Sequence, residues 1–180
     1  MEELGTARLR LRDWRQDDLE PLSAIYADPE VMKFIGDGSV RNREETEAGL
    51  ALIRRNWADH GFGLFAVELR DTGELAGWVG LAVPHFLPAV EIGWRLGKPF
   101  WGRGIATEAA REVLRFGFEA AGLDRVVSIC HVDNHASARV MTKLGLRQER
   151  LTTVPGHGRP VRVLALARDE YRAVGATGSG

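Results

Sequence analysis

The most constraining feature of the sequence is a strand that is followed at once by a glycine-containing turn and a long amphipathic helix. The strand is expected at Val90–Leu96, the turn contains Gly102 and Gly104, and apolar residues then recur at helical spacing over 104–121. Small residues before a helix let backbone N–H groups approach a ligand closely, and a helix N-terminus concentrates unpaired donors and positive partial charge. The segment is therefore a candidate site for a phosphate or pyrophosphate.

Two common phosphate-binding motifs do not fit this turn. The Walker pattern is absent, and the dinucleotide pattern G-x-G-x-x-G fails because Thr107 occupies the position of its third glycine. A Gly-x-Gly turn before a helix is equally consistent with a tight connection that binds no ligand. The turn alone leaves both interpretations open.

Hydrophobic periodicity predicts the remaining elements. Alternation predicts strands, two of which flank the hairpin turn at 71–73, and a period of about 3.6 residues predicts helices. Hairpins followed by a β-α-β step predict an α/β (α+β) fold with a mixed, largely antiparallel sheet, one parallel step near its middle and helices on both faces. The strands are expected at 7–12, 64–69, 75–83, 90–96, 125–132, 146–153 and 161–167, and the helices at 17–27, 44–60, 104–121 and from a cap at 133–134 to 143–145.

Composition limits the class of protein. Of 180 residues, 44% are hydrophobic, which suffices for one core and favours a single domain over 1–174 with a flexible tail at 175–180. The 24 Lys and Arg balance 25 Asp and Glu, so nothing indicates binding to nucleic acid or to an anionic membrane. With one cysteine, no signal core and no membrane-spanning run, we expect a cytoplasmic protein.

The turn and three further segments resemble the GNAT superfamily of N-acetyltransferases. Residues 101–106, WGRGIA, are similar to its acyl-CoA-binding signature Q/R-x-x-G-x-G/A, although Trp101 replaces the polar first residue. Segments 28–34, 89–94, 101–109 and 134–146 follow one another as in its ribosomal-protein N-terminal acetyltransferase (RimJ/RimL-like) branch. The resemblance implies acetyl-CoA as the donor, no metal, and a sheet splayed between strands 90–96 and 125–132 to admit the pantetheine.

The resemblance also implies where the cofactor binds. A bulge at Gly93 would free backbone groups of Trp94 and Leu96 to pair with the pantetheine amides. At the turn, backbone amides would hold the pyrophosphate, and Arg103 would add positive charge beside it. The predicted cofactor-binding residues are Trp94, Arg95, Leu96, Gly102, Arg103, Gly104, Ile105, Ala106, Thr107 and Asn134.

Glu91 is the first of two predicted catalytic residues. It lies on the strand face shared with Gly93 and Arg95. There it acts either as a general base or anchor for an acceptor amine, as the resemblance favours, or as a solvated carboxylate beside Arg95.

Ser137 is the second predicted catalytic residue. Many members of the superfamily place a Tyr seven residues after the Asn, where it protonates the departing thiolate. In this chain the position after Asn134 holds Met141, which cannot donate a proton. Ser137 is the nearest substitute, or else an ordinary first-turn residue of a helix that Asn134 caps.

Neither a covalent intermediate nor a metal site is expected. Cys130 lies in the middle of a predicted strand without an activating partner, so we expect a structural thiol. His131 and His135 straddle a strand end and a helix start, and this spacing does not place both on one helical face.

The expected function is direct transfer of an acetyl group from acetyl-CoA to a primary amine in a ternary complex. A lysine amine costs roughly 3.5 kcal/mol more to deprotonate than an α-amine, so a Glu with an ordinary pKa suits a protein N-terminal α-amine. The alternatives are a small-molecule amine (polyamine, aminoglycoside or amino acid) and an acyl-CoA-binding module without catalysis. The expected partners are acetyl-CoA and the acceptor, with homodimer formation left open.

Overall fold

The fold is built around one sheet, seen in a computed structural model that describes residues 3–156 and 158–177. Its strands lie in the order β1-β2-β3-β4-β5-β6-β8-β7. All neighbours pair antiparallel except β5 and β6, which are parallel, so the predicted fold class and its parallel step are confirmed. The strands are β1 (Leu4–Gly5), β2 (Leu9–Arg12), β3 (Leu64–Leu69), β4 (Leu75–Ala82), β5 (Glu91–Leu96), β6 (Arg125–His131), β7 (Arg147–Thr153) and β8 (Pro160–Ala167).

Six helices cover the sheet within the described ranges. The third begins after Asn42, whose side chain accepts from the N–H of Glu45, and it ends at Gly61, which has a φ of +72°. These local capping signals explain why the periodicity located it to within one residue. The helices are α1 (Leu19–Tyr26), α2 (Pro29–Met32), α3 (Arg43–His60), α4 (Ile105–Arg115), α5 (His135–Lys143) and α6 (Arg168–Thr177), and a π-helical turn, Phe116–Ala120, extends α4.

Side chains alternate between two large cores on opposite faces of the sheet, and a third, small cluster of Val127, Val163 and Ala165 lies on β6 and β8. Phe65, Val79 and Ile92 are fully buried in the core that packs against α4, α5 and α6. Ala66 and Leu75 belong to the core beneath α1, α2 and α3. The prediction of helices on both faces is therefore confirmed.

The strands and helices that periodicity did not predict are short or terminal. They are β1, with two residues, α2, with four, and α6, which follows β8 without a break. A window of two to four residues is too short to establish a period. The predicted tail at 175–180 overlaps the end of α6 at 175–177, and residues 178–180 lie outside the described ranges.

A buried ion cluster joins β2 to β3. Arg12 is 5% exposed. Its guanidinium donates from Nη1 to Asp18 at 2.8 Å and from Nε to Glu68 at 2.6 Å. Burial acts to raise the pKa of Glu68, but the hydrogen bond from Arg12 and the nearby arginines lower it overall. The charges in this cluster therefore satisfy one another, as buried charges must.

The sheet splays open between β5 and β6. Their pairing is limited to Glu91 with Val127, where the N–H of Val127 donates to the carbonyl of Val90 at 2.9 Å. The Ser128 hydroxyl then donates to the carbonyl of Ile92 at 2.8 Å. Beyond this point the strands diverge towards their carboxyl ends, which leaves the gap that the resemblance implied.

The predicted bulge at Gly93 is wrong. The β4–β5 register runs without a shift from Gly77–Leu96 to Ala82–Glu91. A side chain at Gly93 would contact the Trp78 ring at 3.5 Å, so the glycine leaves room for that ring on the α1–α3 face. The divergence of β6, rather than a bulge in β5, opens the gap.

Candidate active site

The turn between β5 and α4 exposes backbone amides. Gly102 and Gly104 have φ values of +70° and +76°, which residues other than glycine adopt only at a cost in free energy. No side chain caps α4, and a Cβ at Gly102 would meet no atom within 4 Å. The uncapped N–H groups and the free space fit a pyrophosphate, as the resemblance implied.

The turn is held from behind by the amino-terminal segment of the chain. Glu108, in the first turn of α4, accepts from the Thr6 hydroxyl at 2.6 Å and from Arg8 Nε at 2.7 Å. Arg8 Nη1 also donates to the carbonyl of Arg103 at 3.0 Å. Burial acts to raise the pKa of Glu108, but these hydrogen bonds lower it overall, so the carboxylate stays ionised. We call Thr6, Arg8 and Glu108 the latch.

Backbone groups of β5 face the gap. The N–H of Gly97 donates to the carbonyl of Ala76 in β4 at 2.9 Å, and N–H directions alternate along a strand. The N–H groups of Trp94 and Leu96 therefore face β6, which has already diverged. The Leu96 carbonyl accepts from the indole of Trp101 at 2.8 Å, so Trp101 fixes the turn instead of binding as a polar anchor. The backbone of Trp94 fits pairing with pantetheine amides.

The other predicted residues at the turn take different positions. Ile105 is 2% exposed with its side chain in the core, whereas Ala106 and Thr107 are half-buried in the first turn of α4. The guanidinium of Arg103 lies over the Phe100 ring, 5.8 Å from its centroid. Their contacts with the cofactor stay a prediction.

On the far side of the gap, α5 begins beside the end of β6. Asn134 Oδ1 accepts from the N–H of Ser137 at 3.1 Å, so its predicted capping role is confirmed. Burial raises the pKa of the Cys130 thiol, and a hydrogen bond with Ser137 and the charge of Arg162 offset this only in part. A raised pKa supports a structural thiol rather than a nucleophile. Met141 is fully buried beneath the helix.

Glu91 is the titratable group at the point where the strands separate. Burial of its carboxyl group raises the pKa to about 7, against the lowering effect of a hydrogen bond from the backbone of Ile129. This burial disfavours a solvated carboxylate beside Arg95, and the catalytic role of Glu91 stays a prediction. A carboxyl group with a pKa near 7 is suited to accept a proton at neutral pH.

Arg95 lies on the same face as Glu91 but in aromatic surroundings. Its guanidinium is 4.7 Å from the centroid of the Tyr26 ring and 5.2 Å from that of Trp78. The Trp78 indole donates to the Tyr26 hydroxyl at 2.8 Å, and Arg41 lies over Tyr26 at 5.5 Å. Burial is the main cause that lowers the pKa of Arg95. Its side chain is therefore on the α1–α3 face, away from α4, and its assignment to the cofactor stays a prediction.

A segment after α2 crosses the gap on the α1–α3 face. Phe34 stacks on His131 of β6 with ring centroids 5.4 Å apart. Arg159, before β8, donates to the carbonyls of Gly36 at 3.1 Å and Lys33 at 2.9 Å. Because α1 packs over β4 and β5, the segment that follows α2 runs from above β5 to above β6.

We use the name central cleft for the α1–α3 face of β5 beside residues 33–36. Glu91 and Arg95 lie at its two ends along β5, and the Trp78 ring packs over Gly93 between them. Sequence reasoning missed the contributions of Tyr26, from α1, and of the segment after α2. Both depend on contacts between distant parts of the chain, for which no local pattern exists.

No group of three or more His, Cys, Asp or Glu is placed to hold a metal ion among the residues that the structure describes. In the same part of the chain, no helix is both long and apolar enough to cross a membrane.

Comparison with known proteins agrees with this geometry. Residues 8–147 match the family model described as acetyltransferase (GNAT) domain. The chain is 34% identical to the uncharacterized N-acetyltransferase YoaA of Bacillus subtilis (strain 168) over 152 residues. The aligned region covers 81% of this chain and 83% of the relative.

Solved structures share the fold. The acetyltransferase (GNAT family) from Bacillus anthracis superposes with a TM-score of 0.80 at 27% identity, covering 93% of this chain and 99% of the other. RimL, a ribosomal L7/L12 α-N-protein acetyltransferase solved with coenzyme A, superposes with a TM-score of 0.79 at 20% identity. The superposition covers 94% of this chain and 99% of RimL. With the glycine turn, the splayed strands and these matches, the chain belongs to the GNAT family and is an acetyl-CoA-dependent N-acetyltransferase.

Proposed function

We propose that this acetyltransferase transfers the acetyl group directly to an α-amine, with Glu91 as the general base. The observation that supports the proposal is the position of Glu91 at the start of the β5–β6 gap, with a pKa of about 7. A base in this position reaches an amine that approaches through the central cleft. Bound acetyl-CoA supplies the thioester carbon that the amine attacks.

The raised pKa of Glu91 lowers the cost of proton transfer from any amine, and an α-amine keeps its advantage of roughly 3.5 kcal/mol over a lysine. Proton transfer from an α-ammonium group, with a pKa of about 7.7–8, to a carboxylate with a pKa of about 7 costs roughly 1 kcal/mol. The same transfer from a lysine, with a pKa of about 10.4, costs roughly 5 kcal/mol. Glu91 is therefore a competent base for an α-amine and a poor one for a lysine.

Other residues around the gap have supporting roles in this proposal. The N–H of Trp94 points at the gap, where it can stabilise negative charge that develops on the thioester oxygen. Ser137, at the start of α5, is proposed to stabilise the departing thiolate by a hydrogen bond from its hydroxyl, and the thiolate takes its proton from solvent. The high pKa of Cys130 argues against an acetyl-cysteine route.

The proposed acceptor is the α-amine of a protein N-terminus. RimL, named as an α-N-protein acetyltransferase, has the same fold, but at 20% identity the likeness concerns the fold alone. The proposal therefore depends on the position of Glu91 at the β5–β6 gap and on its raised pKa.

A thiol-release assay with two matched peptides tests this proposal. One peptide has a free N-terminus and no lysine, and the other is blocked at its N-terminus and contains one lysine. A pKa difference of about 2.5 between the two amines predicts a preference of about 100-fold or more for the free N-terminus. Equal rates, or a preference for lysine, would overturn the α-amine assignment. Acetyl-CoA binding without thiol release from any amine would favour the non-catalytic module.

A further inference from the structure

Two arginines on the α1–α3 face have no acidic partner among the residues that the structure describes. Arg41 and Arg95 both lie over the Tyr26 ring, at 5.5 Å and 4.7 Å from its centroid. Neither forms an ion pair with an Asp or Glu of the described ranges, whereas the guanidinium of Arg12 is bound by two carboxylates. The Nε atom of Arg95 is buried and has no hydrogen-bond partner.

Such an arrangement is unfavourable for the protein alone. A guanidinium stays charged at any pH that a folded protein meets, and removing it from water without a counter-charge is costly. Burial and the positive charge of Arg41 lower the pKa of Arg95, and the neighbouring Tyr26 hydroxyl offsets this only in part. An anion bound between the two guanidinium groups would relieve both effects.

The position of Arg95 relates this anion to the reacting amine. Arg95 lies two residues beyond Gly93 and four beyond Glu91 on the same face of β5. At about 3.3 Å per residue, its Cα is about 7 Å from that of Gly93 and about 13 Å from that of Glu91. Because Gly93 has no side chain, the Trp78 ring packs against the strand between the carboxylate and the guanidinium, and an acceptor that reaches both passes over this ring.

We propose that the acceptor amine carries a carboxylate, which Arg95 and Arg41 bind at the end of the central cleft opposite Glu91. This proposal rests on the proposed function, and it narrows the acceptor class. The α-carboxylate of the reacting residue is too close to its own amine to span the distance of about 13 Å from Glu91 to Arg95. The carboxylate therefore belongs to an acidic side chain, in a peptide or in a free amino acid. Polyamines and aminoglycosides are excluded, because two guanidinium groups repel a polycation.

Acceptor pairs that differ only in charge provide the test. The peptide pair begins Ser-Glu or Ser-Gln with an otherwise identical sequence, and the small-molecule pair is glutamate and glutamine. Binding is measured by calorimetry with coenzyme A present, and kcat/KM is measured by thiol release with acetyl-CoA. We expect the acid of the recognised pair to be favoured by about 10–100-fold in both measurements, as for a charge-assisted hydrogen bond.

Variants of the two arginines assign this preference to the site. Arg95→Gln and Arg41→Gln should each bring the acid-to-amide ratio close to 1 while the affinity for acetyl-CoA stays unchanged. Arg95→Lys keeps the charge but loses the planar fork, so it should retain part of the preference. The control is Arg55→Gln, which removes an exposed arginine from the outer side of α3 and should leave the ratio at its wild-type value.

The outcomes separate this proposal from the proposed function. Equal binding and turnover of acid and amide would overturn the carboxylate site and leave α-amine transfer intact. An acid preference in binding without acetylation would support the site and overturn the proposed function. A loss of acetyl-CoA affinity in Arg95→Gln, equal to its loss of acceptor affinity, would assign the guanidinium to the donor and overturn the proposal. Thermal unfolding shows whether Arg95→Gln and Arg41→Gln are folded. If one of them fails to fold, the acid-to-amide ratio of the other decides the outcome.

Discussion

Replacing Glu91 with Gln should stabilise the fold while it removes activity. Burial raises the pKa of the Glu91 carboxyl group from 4.5 to about 7, so the folded chain binds this proton more tightly than the unfolded chain does. Stability from this group is fully present below about pH 4.5 and is lost as the pH rises through 7. A difference of about 2.5 units corresponds to roughly 3 kcal/mol lost above pH 7. Glutamine is neutral at every pH, has nearly the same shape, and can still accept from the N–H of Ile129.

The free energy of unfolding is therefore expected to depend on pH in a specific way. Near pH 4.5 the wild type and Glu91→Gln should be about equally stable, and at pH 8 the variant should be more stable by up to roughly 3 kcal/mol. Urea unfolding at pH 5, 6, 7 and 8 measures the difference. Glu74→Gln is the control, since Glu74 is exposed in the β3–β4 turn and its replacement should change neither stability nor rate.

The catalytic effect of the same substitution has the opposite sign. Loss of a general base should lower kcat/KM by about 10²–10⁴-fold at pH 7, with the affinity for acetyl-CoA nearly unchanged. The deficit should shrink as the pH approaches the pKa of the amine, because a neutral amine needs no base. A stability difference that is the same at pH 5 and pH 8, or wild-type kcat/KM at pH 7, would refute this account of Glu91.

Three further predictions concern the turn, the buried ions and metals. Gly104→Ala and Gly61→Ala place a side chain at nearly the same positive φ, so each should destabilise the fold by about 1–2 kcal/mol. Only Gly104→Ala should weaken acetyl-CoA binding, by about tenfold in calorimetry. Arg12→Met removes the ion-pair partner of the buried Asp18 and one of three arginines that bind Glu68, and it should lower the free energy of unfolding by about 3–5 kcal/mol in urea. Arg10→Met, at a more exposed ion pair with Glu68, should cost less than about 1 kcal/mol. The affinity for acetyl-CoA should be the same with and without EDTA, and loss of binding with the chelator would contradict a site built from amides.

The parts of the fold predicted from sequence depend on local signals. The long helix α3 was located because Asn42 and Gly61 provide its caps and apolar residues recur along one face. The β5 strand and the glycine turn follow from neighbouring residues in the same way. The order of the motifs, through the resemblance, added the splay between β5 and β6, which periodicity alone does not contain.

The parts that could not be predicted depend on contacts across the chain. A glycine at position 93 of a strand predicts a bulge, whereas in the structure this glycine leaves room for the Trp78 ring of the neighbouring strand. The pKa of Glu91 depends on burial that no window of sequence reports. Likewise, Arg95 was assigned to the cofactor, since nothing local indicates that its guanidinium packs on the Tyr26 ring of α1.

The latch has a consequence for how the chain folds. Its hydrogen bonds join residues separated by 95 to 102 positions, so they cannot form before the first strand meets the start of α4. Bringing together distant positions carries a large loop-closure cost, and contacts of this kind form late and slowly. During refolding, helices such as α3 can form from local interactions while the glycine turn is still unsupported. Acetyl-CoA binding should therefore recover after helical content does, and the ligand should slow unfolding by holding the two ends of this long loop together.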